Sequence, residues 1–211
     1  MLHYPKMPGS KDAPSGRCVA FEKLDGTNLH WAWDRDFGWH AFGTRRDEFN
    51  LLPDGIAAFA RAHPGLEDAA EIFLSGLDGL LDRVLRENAR FTSVKVFTEY
   101  LGPNSFAGAH DSADAKELVL FDVLLDGYGF VGPRQFVADF GYLNIPRVVY
   151  DGKLTGTFLE AVREGKYGVA EGVVVKGGTG GDDVWMFKVK TYAYLERLKA
   201  SFGARWEDYW E

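Results

Sequence analysis

The chain has 211 residues, of which 46% are hydrophobic and 15% aromatic, so it has enough apolar side chains to bury a core and is not a disordered chain. Its formal net charge of −7 argues against indiscriminate binding to nucleic acid through bulk charge, although it leaves room for a local basic groove. The single cysteine excludes an intrachain disulfide and a cysteine-built zinc site.

The sequence contains neither a run of about eighteen apolar residues nor the apolar core of a signal peptide. We therefore expect a cytoplasmic protein that has no membrane partner.

A polar lead-in over residues 2–17 precedes a predicted strand over residues 18–23. If this strand is regular, Val19, Phe21 and Lys23 share one face, and Lys23 lies where that face opens before a glycine turn. Desolvation and neighbouring cations disfavour the ammonium form, and nucleophilic attack requires the neutral amine. Lys23 is therefore a candidate nucleophile, against the simpler interpretation of a surface lysine beside a turn.

A hairpin is predicted next, with strands over residues 29–33 and 37–42 joined by a short polar turn. Two adjacent arginines, Arg45 and Arg46, follow its second strand. Such arginines usually carry solvated charge, but arginine is also the side chain best suited to make two parallel hydrogen bonds to a phosphate or a ribose.

Two further strands carry candidate ligand contacts. A strand over residues 94–101 places Glu99 near its end. The nearly apolar run over residues 118–125 predicts a central strand that is buried on both faces. Phe121 in that run has two interpretations, as a core residue or as a ring that contacts a ligand.

Helices and one edge strand form the predicted scaffold around these strands. Apolar spacing, proline positions and a threonine cap predict helices over residues 54–62, 66–88, 133–141, 155–163 and 191–211 and an edge strand over residues 145–150. The last helix carries Trp206, Tyr209 and Trp210, which must pack on this domain or on a partner.

The last predicted hairpin, with strands over residues 171–176 and 184–190, carries the second group of charges. Lys188 and Lys190 share one strand face because they are two residues apart, and Glu171 begins the partner strand. Two such lysines can neutralise an α-phosphate and favour the neutral form of a nearby lysine amine. Carboxylates can hold Mg²⁺ or ribose hydroxyls, so these residues supply what nucleotide transfer requires.

Five motifs then occur in the order in which one enzyme superfamily carries them. They are Lys23-Leu24-Asp25-Gly26, Thr98-Glu99-Tyr100-Leu101-Gly102, Leu120-Phe121-Asp122-Val123, Glu171-Gly172-Val173-Val174-Val175-Lys176 and Phe187-Lys188-Val189-Lys190. The set resembles the covalent nucleotidyltransferase superfamily of polynucleotide ligases and capping enzymes. The form K-x-D-G-T-N at residues 23–28, with E-Y-x-G-P and F-D-V, is most similar to the ATP-dependent RNA ligases of the nick-sealing and RNA-editing type.

The resemblance implies an α+β fold, with two mainly antiparallel sheets around a nucleotide cleft and flanking helices. It also implies a reaction sequence for RNA repair. Lys23 would attack the α-phosphate of ATP, release pyrophosphate and carry AMP as a lysyl-AMP. The AMP would pass to an RNA 5′-phosphate, and a 3′-hydroxyl would displace it to seal the strand. Lys188 and Lys190 would contact the α-phosphate and act with Lys23 in catalysis.

The same resemblance assigns the remaining contacts residue by residue. Glu99 would bind the ribose, Phe121 would stack on adenine, and the backbone of Glu22 would lie against the adenine edge. Asn28 and Arg45 would contact the nucleotide or orient its phosphate, although Arg46 could replace Arg45. Glu171 would contact the nucleotide and assist the binding of Mg²⁺ or Mn²⁺. Lys176 has the least secure role, since a regular strand points it to the face opposite Glu171.

The sequence shows no internal repeat and no linker, so we expect a single nucleotidyltransferase domain over residues 1–211, without a C-terminal OB-fold or other accessory domain. Most ligases carry a further domain after the last lysine motif. The chain is then a minimal ligase that binds RNA ends or nicked RNA duplex by itself, a ligase that needs a partner protein to grip RNA, or a piece of a longer protein. A DNA ligase, a GTP-using capping-type enzyme and a non-catalytic nucleotide-binding module are the alternatives.

Overall fold

The computed structural model describes residues 4–88, 90–103 and 114–208. The chain forms two compact units, and neither is one continuous stretch. Unit 1 comprises Met1–Tyr4, Asp25–Val131 and Phe136–Ile145, and unit 2 comprises Pro5–Leu24, Gly132–Gln135 and Pro146–Glu211. The expectation of a single domain over residues 1–211 stays a prediction.

The described residues contain strands and helices in mixed order. The strands are β1 (Arg17–Lys23), β2 (Thr27–Asp34), β3 (Gly38–Gly43), β4 (Phe49–Asn50), β5 (Ser93–Leu101), β6 (Glu117–Leu125), β7 (Gly129–Val131), β8 (Val148–Lys153), β9 (Gly172–Gly177), β10 (Gly180–Gly181) and β11 (Trp185–Lys190). The α-helices are α1 (Pro53–Ala62), α2 (Ala69–Gly76), α3 (Asp78–Glu87), α4 (Pro133–Phe140), α5 (Gly156–Arg163) and α6 (Tyr192–Phe202). Short 3₁₀ helices cover Ser10–Asp12 and Gly203–Asp208.

Most of the predicted elements are confirmed to within two residues at each end, and three differ by more. The helix predicted over residues 66–88 is two helices, α2 and α3, with Leu77 between them. The edge strand begins at Val148 instead of residue 145, because Pro146 has no N–H to donate to a neighbouring strand. The final α-helix ends at Phe202, and Gly203 follows, as is common at helix ends. Tyr209 and Trp210 lie outside the described residues.

Unit 1 is built on an antiparallel sheet in which its strands have the order β7-β6-β5-β2-β3-β4. One face of this sheet is covered by helices α1, α2 and α3. Trp31 of β2 stacks on Phe73 of α2 with ring centroids 3.9 Å apart, and the indole N–H of Trp33 donates to Asp82 of α3 at 2.8 Å. Side chains alternate along β2, so Asn28 and His30 lie on the face opposite to Trp31 and Trp33.

Unit 2 is built on a second antiparallel sheet with the order β11-β9-β1-β8. Its core forms between one sheet face and helix α5, and its buried members are Cys18, Ala20, Phe158, Val162, Val169, Val173, Val175, Phe187 and Val189. Thr155 caps α5 by accepting a hydrogen bond from the Phe158 N–H at 3.1 Å. The two antiparallel sheets and their helices confirm the predicted α+β class.

None of the helices in the described part of the chain is both long and apolar enough to cross a bilayer.

Replacing Phe73 by alanine should lower the free energy of unfolding of the protein by about 3–5 kcal/mol, because it removes a fully buried ring from the Trp31 stack. The matched control is Phe37→Ala, since Phe37 is 83% exposed, and its effect should stay within about 0.5 kcal/mol. Urea unfolding of both variants measures the difference. Equal effects of the two substitutions would contradict the assigned core.

Candidate functional site

Strand register gathers lysines on the face of the unit 2 sheet that is turned away from α5. In one row across the sheet, Lys23 of β1 pairs with Gly172 of β9, which pairs with Lys190 of β11. Lys188 lies two residues before Lys190 and therefore on the same face. Cross-strand partners point the same way, so three strands together concentrate positive charge on this face.

Glu171 connects two of these lysines. Its Oε2 accepts a hydrogen bond from the Lys23 ammonium at 2.8 Å, and its Oε1 lies 3.3 Å from Nζ of Lys190. The carboxylate is only 2% exposed, so it depends on these cations to offset the cost of burying its charge. Two ammonium groups share one carboxylate, and the three side chains together carry one net positive charge. An anionic ligand fits such a group.

Gly172 allows Glu171 to reach the lysine face. It has φ of +156°, and a Cβ at this position would lie 2.0 Å from the carbonyl oxygen of Val189. The backbone of Glu171 is fixed on the other side, where its carbonyl accepts the Thr191 N–H at 2.9 Å. The glycine of the E-G pair in the motif is therefore required, because its backbone approaches the Val189 backbone too closely for a residue with a side chain.

Lys176 does not lie where the sequence predicted it, on the face opposite Glu171. In the register it lies beside Val19 and across from Met186, on the same face as Lys23, and this is also the face that Glu171 reaches. The expected opposition of Lys176 and Glu171 is therefore wrong, because it assumed a regular strand and Gly172 breaks the alternation at the start of β9. The Lys176 side chain is buried, with Nζ 5.3 Å from the Phe21 ring centroid.

Glu22 points away from Lys23, as alternation along β1 requires. Its Oε2 accepts from Nε of Arg147 at 3.0 Å, and Arg147 also donates to the carbonyls of Tyr167 and Gly168. On the sheet face of Lys23, Glu22 can therefore contact a ligand only through its backbone. The predicted backbone contact with the adenine edge stays a prediction.

Asn28 and Glu99 are cross-strand partners on the helix-free face of unit 1. The Gly26 N–H donates to Oε1 of Glu99 at 3.1 Å. A Cβ on Gly26 would lie 2.4 Å from the Tyr100 carbonyl oxygen, so a glycine is required for the turn to approach β5 this closely. The two candidate nucleotide contacts are therefore brought together, and the turn holds Glu99 in place.

Phe121 occupies a β-bulge. Phe97 pairs with Asp122 and Thr98 with Leu120, so the register of the two strands shifts by one residue at Phe121. A bulge re-aims a side chain, and Phe121 is half-buried instead of packed in the core. A contact between its ring and a ligand, which is one of the two interpretations from the sequence, stays a prediction.

Tyr4 is a site residue that the sequence did not reveal. It is buried, its hydroxyl donates to Oδ2 of Asp122 at 2.5 Å, and its ring centroid lies 5.1 Å from that of Phe121. The guanidinium of Arg45 lies 5.9 Å from the same ring. Both adjacent arginines are exposed, and Arg45 is the one whose guanidinium lies over the Tyr4 ring. A lone aromatic residue in a polar lead-in gives no periodic signal, so only packing could identify it.

A polar cluster of His30, Glu48 and Lys95 lies on the same face of unit 1. Oε2 of Glu48 is 3.1 Å from Nε2 of His30 and 3.0 Å from Nζ of Lys95. Burial lowers the pKa of His30 below its ordinary value of 6.5, and the positive charge of Lys95 acts in the same direction, while Glu48 opposes both. The folded protein therefore disfavours protonation of this imidazole.

The described residues contain no group of three or more histidine, cysteine or carboxylate side chains that could hold a metal ion by themselves. A hard cation that keeps its waters commonly takes one or two carboxylates and the phosphates of a substrate, and Glu171 supplies one carboxylate. Its expected role in holding Mg²⁺ or Mn²⁺ stays a prediction, since its two oxygens already face the ammonium groups of Lys23 and Lys190.

No protein-family model and no curated protein matches the chain. Solved structures do. An archaeal ATP-dependent RNA ligase matches with a TM-score of 0.65 at 15% identity, over 97% of this chain and 52% of its own. An RNA ligase variant from Naegleria gruberi with ATP and Mn matches with a TM-score of 0.63 at 17% identity, and another with AMP and Mn gives 0.62 at 15%. Each covers 93% of this chain and 58% of the ligase.

The chain has the fold of RNA ligase nucleotidyltransferase domains. The resemblance seen in the motifs is thereby confirmed at the level of the fold. The chain spans little more than half the length of these ligases.

Gly172→Ala should lower the free energy of unfolding by roughly 2–4 kcal/mol, because the added methyl group collides with the Val189 carbonyl and the backbone must move. Gly79→Ala in α3 is the matched control, since a Cβ there meets open space. That variant should be unchanged or more stable by up to about 1 kcal/mol. Denaturant titration measures both, and a neutral Gly172→Ala would contradict the close approach.

His30→Gln should flatten the pH dependence of stability between pH 5 and about 6.5. The folded pKa lies below 6.5, so the unfolded chain binds the proton first as the pH falls. Stability is then complete above about pH 6.5 and is lost toward lower pH, at up to about 1.4 kcal/mol per unit. Urea unfolding at several pH values compares the two proteins, and parallel curves would show that His30 is not held neutral.

Proposed function

We propose that this chain is the catalytic domain of an ATP-dependent RNA ligase, which adenylates itself on Lys23 and passes the AMP to an RNA 5′-phosphate. The observation that carries the proposal is the contact of Glu171 with both Lys23 and Lys190, on the sheet face that also presents Lys188. The fold of RNA ligases supports the same assignment, as does the presence of ATP or AMP in some of those ligase structures.

The first step requires a neutral amine at Lys23. A carboxylate 2.8 Å away favours the ammonium form, so one proton must leave Nζ for the solvent before the attack. The nitrogen lone pair then forms a bond to the α-phosphorus of ATP. The bond from this phosphorus to the oxygen bridging the α- and β-phosphates breaks, and pyrophosphate leaves with the electron pair. A second proton is then lost from the nitrogen, which becomes neutral, while the phosphoramide keeps the negative charge of its phosphate oxygen.

Lys188 and Lys190 would stabilise the charge that builds up on the α-phosphate oxygens during this attack. They are suited to it because β11, which pairs with β9 and so lies one strand away from β1, presents both lysines on the face of Lys23. Glu171 would hold Mg²⁺ or Mn²⁺ with nucleotide phosphates and water. Such an ion, when bound, supplies further neutralisation of phosphate charge.

The candidate contacts of unit 1 would select and orient the nucleotide. Glu99 would accept hydrogen bonds from ribose hydroxyls, and the turn that holds it reduces the freedom it loses on binding. Phe121 would stack on adenine from its bulge, and Asn28 and Arg45 would contact the nucleotide or its phosphate. The backbone of Glu22 would lie against the adenine edge.

Two further steps would complete sealing. An oxygen of the RNA 5′-phosphate attacks the phosphorus of lysyl-AMP, the N–P bond breaks, and the amine of Lys23 regains its proton. A 3′-hydroxyl oxygen then attacks the activated 5′-phosphate, loses its proton and releases AMP. RNA ends or a nicked RNA duplex would be the substrates, and this domain or a partner protein would bind the RNA.

Incubation with α-labelled ATP and Mg²⁺ should give a covalent, acid-labile AMP adduct, and Lys23→Ala and Lys23→Arg should both abolish it. Lys23→Arg is the sharper variant, because it keeps the positive charge beside Glu171 but offers no neutral amine as nucleophile. Lys199→Ala, on the exposed surface of α6, serves as the control and should keep the adduct. An adduct that persists in Lys23→Arg would sink the assignment.

The proposed sealing of RNA is tested by comparing polynucleotide substrates. Nicked RNA, RNA–DNA hybrid and DNA duplexes are offered with ATP or GTP, and sealing of the RNA nick with ATP should be fastest. A preference for DNA or GTP would favour a DNA ligase or a capping-type enzyme. Nucleotide binding without pyrophosphate release would favour a non-catalytic module.

A further inference from the structure

Three phenylalanine rings of unit 1 pack against the Tyr4 ring. Its centroid lies 4.9 Å from Phe97, 5.1 Å from Phe121 and 5.7 Å from Phe130, and all three pairs are edge-to-face. Edge-to-face packing fixes the relative orientation of two rings as well as their distance. A residue from the polar lead-in thus determines the orientation of aromatic side chains on β5, β6 and β7.

The Tyr4 hydroxyl fixes this ring at a second point. Asp122 is only 1% exposed, and its carboxylate accepts the hydroxyl proton at 2.5 Å. Burial raises the pKa of Tyr4 well above 10, and the charge of Asp122 adds to the effect, so the hydroxyl stays protonated and remains a donor. Asp122 directly follows Phe121 in the bulge, so the hydrogen bond secures the backbone that carries the Phe121 ring.

Tyr4 also contacts Arg45. The guanidinium carbon lies 5.9 Å from the Tyr4 ring centroid, within the range of a cation–π interaction. Arg45 is exposed and extends from the turn after β3, whereas Phe121 belongs to β6. One tyrosine therefore touches two candidate nucleotide contacts that come from separate parts of the sequence.

We propose that Tyr4 is a positioning residue for the nucleotide: it sets the plane of the Phe121 ring and holds Arg45 at the same place. The inference rests on the nucleotide roles proposed for Phe121 and Arg45. Packing against Tyr4 restricts the orientations that the half-buried Phe121 ring and the exposed Arg45 side chain can take. Ordering them before the ligand arrives lowers the free-energy cost of binding, so the effect of Tyr4 falls on nucleotide affinity.

Tyr4→Leu should raise the KM for ATP in adenylation of Lys23 about tenfold, while kcat stays within about twofold. Tyr4→Phe keeps all three ring contacts and loses only the hydroxyl, so its KM should stay within about threefold of the wild type. The control is Tyr150→Leu in unit 2, where Tyr150 stacks on Phe158 at 4.1 Å. This control should lower thermal stability without raising the KM.

A double-mutant cycle with Phe121→Leu separates positioning from general destabilisation. If Tyr4 acts through Phe121, adding Tyr4→Leu to Phe121→Leu should raise the KM by much less than the tenfold effect of Tyr4→Leu alone. Fully additive effects would overturn the inference, as would a Tyr4→Leu protein in which only kcat falls. A wild-type adduct with equal KM in wild type and Tyr4→Leu overturns this inference alone. Absence of an adduct in the wild type overturns the proposed function and this inference together.

Discussion

The ion pairs of Glu171 are the interaction on which the candidate site of unit 2 depends. A carboxylate that is 2% exposed must be paired, and Lys23 and Lys190 provide the pairing from two different strands. The register of β1, β9 and β11 brings those strands into line. Gly172 lets the backbone turn toward the lysines. A change in any of these elements would leave a buried charge without its partner.

Unit 1 orders its candidate ligand contacts in a different way. Unit 2 uses charge, whereas unit 1 uses ring packing around a bulge, with Tyr4 against Phe121 and its hydroxyl on Asp122. Ring contacts and one charge-assisted hydrogen bond hold the geometry around Phe121. Glu99 is held separately, by the Gly26 N–H. Each unit therefore constrains its candidate ligand contacts through interactions within the protein.

Local patterns predicted most of the fold, and the differences have physical causes. Alternation and apolar spacing located the strands and most helices because they report which face of an element is buried. The same spacing could not show the break at Leu77, since both halves bury one apolar side. Lys176 was placed opposite Glu171 because a regular strand was assumed, and Gly172 makes the strand irregular. The motif order identified Lys23, Glu171, Lys188 and Lys190 as a group before any distance was known.

The sequence by itself determined the elements, the motif order and the candidate chemistry at Lys23, because residue type and short-range periodicity are local properties. Only the tertiary structure decided that one carboxylate pairs with two lysines, that Phe121 stands in a bulge, and that Tyr4 packs against it. Two of these contacts, Lys23 with Glu171 and Tyr4 with Asp122, join residues more than a hundred positions apart. Strand register and burial set such contacts, and neither is encoded in any one stretch of the chain.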